Sequence, residues 1–166
     1  MMKLNVSQLD RGQESAFSFA VSAEKMDIVS DSCTFTGEII TKGMIVNTGR
    51  VYRLEGTINC QRSFICDRCL SESVENAEYP FVEEYKQAGD SSADDDKVTV
   101  FNGDSIDIVP LVRDTILAAQ PIRNLCRPDC LGLCLKCGAD LNKGDCGCDR
   151  RVVDPRLAAL QDFISK

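Results

Sequence analysis

The sequence predicts an α+β, mainly β protein: an antiparallel β core with one packed helix, a cysteine-rich module and a short C-terminal helix. Three observations predict this architecture. Residues 1–105 contain short runs that alternate between apolar and polar side chains, one apolar stripe at helical spacing follows, and the next segment is rich in Cys, Gly and Asp. We assign residues 1–120 to the β core with its helix, and 121–166 to the module and closing helix, packed as one unit.

The strands are predicted from alternation of period two. Tyr52 and Leu54, for example, alternate with charged neighbours, as expected for a half-buried antiparallel strand. The runs lie at residues 3–7, 16–22, 33–41, 44–47, 51–60, 73–86 and 98–101. Four glycines lie at intervals typical of hairpins, namely Gly37, Gly43, Gly49 and Gly56. Residues 87–97 are small, polar and acidic, which predicts a loop.

Two helices are predicted from apolar stripes. The stripe of the first, packed helix consists of Val109, Val112, Ile116 and Ala119. Pro110 is acceptable only in its first turn, and Pro121 ends it. In the C-terminal helix Asp154 can cap the first turn, and Pro155 occupies the first helical position. The apolar stripe of this second helix consists of Leu157, Leu160 and Ile164.

The composition excludes several classes of enzyme. The 166 residues include no histidine, so no imidazole of this chain can act as a general base, and a metal site must use cysteines or carboxylates. The sequence has no glycine-rich phosphate loop, and its acidic stretch offers little apolar material to perturb a carboxyl pKa. We therefore expect a protein that is not an enzyme, without catalytic residues or a small-molecule substrate.

The chain has no apolar run of 18 residues, and its first residues do not resemble a signal peptide. We therefore expect a cytoplasmic protein with no membrane partner. In that compartment thiols stay reduced, and clustered cysteines bind metal more often than they form disulfides.

Eight of the ten cysteines occur at tight spacing. Cys66 and Cys69 form a C-x2-C pair directly after a predicted strand. The other six have the pattern C-x3-C-x3-C-x2-C-x8-C-x-C and are Cys126, Cys130, Cys134, Cys137, Cys146 and Cys148. Thiolates two residues apart on a tight turn can face one metal ion, and tetrahedral zinc takes four such ligands.

The last four cysteines form the simplest local group, a zinc-ribbon-like loop in which Gly138 adopts the left-handed conformation that such a turn often needs. Cys126 and Cys130 could then fold back onto Cys66 and Cys69 to complete a second four-thiolate site, which would fix the module to the β core. Two groups of four thiolates predict two structural zinc ions per chain, with a single zinc ion as the alternative.

Other interpretations of the cysteines remain open at this point. Disulfides, an iron–sulfur cluster and a zinc-based redox switch could use the same residues. Cys33 and Cys60 stand alone within strand-like segments, so we expect them to be buried, unreactive thiols.

Charge is distributed unevenly. Residues 72–107 contain eleven acidic side chains and two lysines, within a chain of net charge −7. The C-terminal third instead carries six cationic candidates for contacts with RNA phosphates: Arg123, Arg127, Lys136, Lys143, Arg150 and Arg151. The acidic loop around Asp94, Asp95 and Asp96 could instead steer a basic protein partner. A solvated surface of mixed charge would account for both sets equally well.

Several motifs in order resemble the bacterial YceD family. They are CDRCL after a strand, IDIVPLVRDTILAAQPIRNLC, CLGLCLKCGADLNKGDCGC and DPRLAAL, and the similarity is most specific over residues 60–160. Leu135 departs from the pattern, since many relatives carry proline there. Family members are described as large ribosomal RNA subunit accumulation proteins.

The resemblance implies a non-enzymatic factor in the accumulation of large-subunit ribosomal RNA and in assembly of that subunit. Its partner would be this RNA or its precursor particles, contacted directly or through a ribosomal or assembly protein. The alternative from another class is a thiol–zinc redox sensor or a protein-interaction adaptor.

Overall fold

The computed structural model describes residues 2–89 and 98–149, and within them the fold is mainly β with one α-helix, as predicted. The predicted C-terminal helix and the acidic loop at Asp94–Asp96 lie outside the described residues. The strands are β1 (Lys3–Asn5), β2 (Glu14–Ser22), β3 (Thr34–Asn47), β4 (Tyr52–Ile65), β5 (Glu72–Gln87), β6 (Thr99–Phe101) and β7 (Ser105–Asp107), followed by helix α1 (Val109–Ala118). A single 3₁₀ turn at Ala23–Met26 joins β2 to the chain before β3.

The strands form two sheets. The larger has the order β2-β3-β4-β5-β6, and its first four strands form an antiparallel meander, which confirms the antiparallel core. β6 pairs with β5 in parallel, which alternation alone could not indicate. The smaller sheet joins β1 to β7 in antiparallel register, with Leu4 opposite Ile106.

Three of the four glycines lie within strands and not in turns, contrary to the prediction. The two predicted runs 33–41 and 44–47 merge, from residue 34 onward, into the single strand β3, and Gly43 lies opposite Gly56 in the middle of the β3–β4 pair. A Cβ atom on Gly56 would overlap the Lys42 carbonyl oxygen, so this pair permits a close approach of two backbones. Gly49 does lie in the hairpin turn, whereas Gly37 (φ +75°) lies where the register shifts between Thr36 and Ile40.

The core lies between the inward face of the large sheet and helix α1. Ile58 of β4 and Val112 and Ile116 of α1 are completely buried, as the predicted helical stripe requires. Ala119 does not belong to this stripe, because the helix ends at Ala118 and the Ala119 side chain is exposed. Pro110 lies in the first turn of α1, as predicted. Within residues 2–89 and 98–149, no helix is long and apolar enough to cross a membrane.

Candidate metal centres

Two groups of four cysteines have their sulfur atoms within 4.8 Å of one another, and we call them site 1 and site 2. In site 1 the Cys66 and Cys130 sulfurs are 3.9 Å apart, and the Cys69 and Cys126 sulfurs are 3.6 Å apart. Site 2 contains Cys134, Cys137, Cys146 and Cys148. The structure thus brings together the same two sets of four that the spacing suggests.

Each C-x2-C pair lies on a tight turn closed by a backbone hydrogen bond. In site 1 the Leu70 N–H donates to the Cys66 carbonyl over 2.9 Å, and in site 2 the Gly138 N–H donates to the Cys134 carbonyl over 2.8 Å. Gly138 has φ +73°, which confirms its predicted left-handed conformation. Leu70 holds the equivalent position with φ +58°, a conformation that a leucine adopts at a cost and that the sequence did not indicate.

Site 1 combines thiols whose pKa is lowered with one whose pKa is raised. Burial opposes ionisation of Cys66, but hydrogen bonds from the N–H groups of Cys126, Cys69 and Arg68 outweigh it and lower the pKa of this thiol to about 6. Desolvation of the Cys126 sulfur, together with its hydrogen bonds to neighbouring sulfurs, raises the pKa of Cys126 to about 12. Hydrogen bonds from the hydroxyl and the N–H of Ser71 also lower the pKa of Cys69, so hydrogen bonds favour two thiolates at site 1, and a cation would stabilise that of Cys126.

Site 2 likewise combines a thiol of lowered pKa with a thiol of raised pKa. The N–H groups of Cys137 and Lys136 donate to the Cys134 sulfur and lower the pKa of Cys134 to about 6. Hydrogen bonds with the sulfurs of Cys137 and Cys146 raise the pKa of Cys148 to about 12. Four soft sulfur donors without an oxygen or nitrogen ligand fit a thiophilic ion of tetrahedral preference, so the residues present fit the metal that their spacing predicts.

Asn124 fixes the cysteine-rich segment to the sheet. It is 4% exposed, its N–H donates to the Asp67 carboxylate over 2.7 Å, and its carbonyl accepts from the Asp67 N–H over 2.8 Å. Its side-chain oxygen accepts from the Arg62 guanidinium over 3.0 Å. Because Asp67 directly follows Cys66, this arrangement sets the position of the first site 1 turn.

Arg62 of β4 is the residue that contacts the Asn124 side chain from the sheet. Its side chain is 7% exposed, pairs with Glu75 at 2.6 Å, also donates to Gln120 over 3.3 Å, and lies over the Phe64 ring at 4.9 Å. Sequence reasoning missed both Arg62 and Asn124. A signal for Arg62 was present, because alternation in β4 assigns it to the inward face, where a charged side chain needs partners.

A second set of contacts joins the turn of site 1 to the segment between the sites. The Arg68 guanidinium donates to the Cys130 carbonyl over 2.7 Å, and the Leu133 N–H donates to the Arg68 carbonyl over 3.1 Å. A Cβ atom on Gly132 would lie 2.9 Å from that Arg68 carbonyl oxygen, so the backbones touch there.

Four of the six predicted phosphate-binding side chains lie within the described residues, and all four are exposed. Arg127 pairs with Asp129 at 3.4 Å, and Lys143 with Asp140 at 3.9 Å. Arg123 and Lys136 form no ion pair within the described part of the chain. Arg150 and Arg151 lie outside it.

Cys33 and Cys60 lie away from both sites, at 8% and 5% exposure, which confirms that they are buried. Burial raises the pKa of the Cys60 thiol to about 11, so this sulfur stays protonated at neutral pH. The Cys33 thiol donates to Gln120 over 3.3 Å, beside the Arg62 contacts.

Comparison with known proteins finds individual relatives and one matching family. The chain is 28% identical over 130 residues to uncharacterized proteins of Mycobacterium tuberculosis and Mycobacterium bovis, covering 76% of this chain and 58% of each relative. The chain thus spans less than two thirds of the length of these relatives. It is also 42% identical over 55 residues to an Arabidopsis thaliana protein named large ribosomal RNA subunit accumulation protein YCED homolog 1, chloroplastic, covering 33% of this chain and 17% of that protein. No solved structure matches.

The sequence profile of one family matches residues 54–164, a segment that begins in β4 and includes all eight cysteines of the two sites. The match covers well over half of the chain, and it agrees with the motifs that first suggested this family. The protein therefore belongs to the YceD family, described as large ribosomal RNA subunit accumulation proteins.

Proposed function

We propose that this protein is a non-enzymatic accessory factor for accumulation of large-subunit ribosomal RNA and for assembly of that subunit, in which two zinc ions have a structural role. The family match over residues 54–164 carries the proposal, because that segment coincides with the part of the chain that the two cysteine sites organise. We place this activity in the cytoplasm, where reduced thiols remain available as ligands.

A structural role for the metal follows from the donor count. Four thiolates fill the coordination sphere of tetrahedral zinc, whereas a catalytic zinc keeps a position open for water or substrate. Site 1 takes two ligands from the turn after β4 and two from the segment after α1, so a bound ion would join elements far apart in sequence. The ion would therefore stabilise the surface that the module presents.

Binding rather than catalysis also suits the carboxylates near the sites. The Asp67 carboxylate accepts the N–H of Asn124, and hydrogen bonds from Asn142 lower the pKa of Asp140. The lowered pKa makes the Asp140 carboxyl a poor proton donor at neutral pH. Their geometry supports a positioning role.

The exposed tip of the site 2 turn is the best candidate for direct RNA contact. Lys136 lies between the two cysteines of this turn, next to Leu135, whose side chain is 93% exposed. Arg123 is the second candidate, since both cations can meet a phosphate without first breaking an ion pair within the described chain. Arg127 and Lys143 would have to leave acidic neighbours.

The decisive experiment is depletion of the protein in its own host, followed by gradient analysis of ribosomal particles and quantitation of precursor and mature large-subunit RNA. We expect a specific loss of large subunits that the intact chain restores. A Cys66→Ser, Cys69→Ser variant should fail to restore them, whereas the matched Cys33→Ala, Cys60→Ala variant should succeed. Normal particles after depletion, under ordinary and stressed growth, would contradict the proposed function.

Two further measurements test the zinc assignment and the direct contact with RNA. Metal analysis of anaerobically purified protein should find two zinc ions per chain, and iron with visible absorbance would contradict the zinc assignment. An Arg123→Ala, Lys136→Ala variant should bind large-subunit RNA more weakly at low salt, while Lys3→Ala, Lys25→Ala should not. Equal affinity of both variants would contradict direct contact and favour a protein intermediary.

A further inference from the structure

We propose that Asn142 couples the two cysteine sites, so that metal bound at site 2 tightens the binding of metal at site 1. The inference rests on the proposed metal-binding role of the sites and adds a residue that is not itself a ligand. Asn142 belongs to the loop of site 2, between Cys137 and Cys146, yet its side chain reaches the segment that carries Cys130 of site 1.

The Asn142 side chain makes three contacts around Cys130. Its Nδ2 donates to the Cys130 sulfur over 3.5 Å. Its Oδ1 accepts from the Leu131 N–H over 2.8 Å and from the Arg127 guanidinium over 2.7 Å. One amide group thus positions the backbone on one side of the ligand, a side chain on the other, and the sulfur itself.

The loop of site 2 holds Asn142 in place. The N–H and Nδ2 of Asn142 donate to the Asp140 carboxylate over 3.0 and 2.8 Å. Asp140 itself forms a β-bridge with Leu133, and the Leu141 N–H donates to the Gly132 carbonyl over 2.9 Å. A metal at site 2 would close the loop that carries these residues, and so would fix the Asn142 amide against Cys130.

A hydrogen bond from an outer residue to a ligating sulfur fixes the orientation of that ligand. Removal of such an outer contact typically weakens metal binding by roughly 10- to 100-fold. Because coupling between two binding sites is reciprocal, metal at site 1 would strengthen site 2 by the same factor. Asn142 is a positioning residue in this scheme.

A double-mutant cycle on the full chain tests the coupling. The two changes are Asn142→Ala and the removal of site 2 by Cys146→Ser with Cys148→Ser, and the readout is the Zn²⁺ affinity of site 1 from chelator competition. Loss of site 2 should weaken site 1 by roughly 10-fold or more in the chain that retains Asn142. In the Asn142→Ala background the same loss should have little effect. The control Asn76→Ala, at an exposed position of β5, should behave as the parent.

Co²⁺ at site 1 supplies a second readout. With site 2 intact, Asn142→Ala should move the thiolate-to-Co²⁺ charge-transfer band of site 1, because the Cys130 sulfur loses its N–H donor. Asn142→Asp retains the acceptor for Leu131 and Arg127 but loses the donor to Cys130 and places a carboxylate beside that of Asp140, so it should move the band at least as far as Asn142→Ala does. Far-UV circular dichroism checks that both variants keep the sheet.

The outcomes separate this inference from the proposed function. If the parent chain binds two metal ions and the removal of site 2 leaves the affinity of site 1 unchanged, the coupling is overturned and the structural zinc role stays intact. An equal effect of site 2 loss with and without Asn142 would show coupling through another path and overturn the role of Asn142. Failure of the parent chain to bind metal would contradict both.

Discussion

Arg62 is the residue whose replacement tests most directly how the module is held on the sheet. Arg62→Ala would remove the donor to the buried Asn124 oxygen, and an orphaned buried acceptor costs about 1–3 kcal/mol. The lost contact with the Phe64 ring adds about 0.5–1 kcal/mol. The buried methylenes of the arginine stem add about 2 kcal/mol at roughly 0.8 kcal/mol each.

The ion pair with Glu75 contributes least to this total, because the Glu75 side chain is 43% exposed. We therefore expect Arg62→Ala to lower the free energy of unfolding by about 4 kcal/mol, and Arg62→Met, which keeps an apolar stem, by about 2 kcal/mol. Glu75→Gln, the control that keeps an acceptor, should cost about 0.5 kcal/mol.

Urea denaturation followed by far-UV circular dichroism measures these differences, at a buffered free zinc concentration so that metal binding contributes equally to every variant. Arg62→Ala should also weaken site 1, since Asn124 holds Asp67 beside Cys66. If Arg62→Ala lay within about 1 kcal/mol of the parent, or if Glu75→Gln cost as much as Arg62→Ala, the assigned role of the buried network would be refuted.

Three further predictions concern the sheet, an isolated thiol and the protons of the two sites. Gly56→Ala should destabilise the protein by about 1–3 kcal/mol in the same assay, because its Cβ would overlap the Lys42 carbonyl, and a fully stable variant would refute the close pairing. In the zinc-loaded protein Cys60 should resist iodoacetamide, since burial raises its pKa to about 11, and rapid alkylation detected by mass spectrometry would contradict this. In the metal-free protein the pKa of Cys126 and that of Cys148 are about 12, so at pH 7 metal must displace at least one proton from each site. Affinity should then fall at least about tenfold at site 1, and more steeply at site 2, where the pKa of Cys146 is raised as well, for each unit by which the pH is lowered. Titrations that show no pH dependence between pH 7 and 8 would refute the assignment.

The sequence predicted the strands best where alternation runs long. β2, β4 and β5 have clear period-two patterns, and helix α1 has a well-defined stripe and a proline in its first turn. β7 has only three residues, too few for a pattern, and it is defined by its pairing with β1 about a hundred residues earlier in the chain. Gly43 and Gly56 were assigned to turns because glycine serves turns and close backbone approaches equally, and only the register of β3 on β4 distinguishes the two.

In the candidate sites, too, features set by neighbouring residues were predictable from the sequence, and features set by contacts with distant residues were not. Spacing could suggest which cysteines share a site, since two cysteines on one tight turn necessarily present their sulfurs together. Asn124 and Asn142 gave no comparable signal, because an asparagine in a loop is ordinary and their roles depend on partners distant in sequence or on the other site. Leu70, an apolar residue in a left-handed conformation, was equally unpredictable from its residue type.

The two sites differ greatly in the length of chain that they enclose. Site 1 joins Cys66 to Cys130 and Cys69 to Cys126, separations of 64 and 57 residues, whereas the ligands of site 2 all lie between residues 134 and 148. Closing a long loop has a larger entropic cost and is slower than closing a short one. During refolding, metal uptake should therefore have a fast phase at site 2, before tertiary structure exists, and a slow phase at site 1, after β5 and α1 have docked. Site 1 would therefore be complete only when the chain on both sides of it has reached its native arrangement.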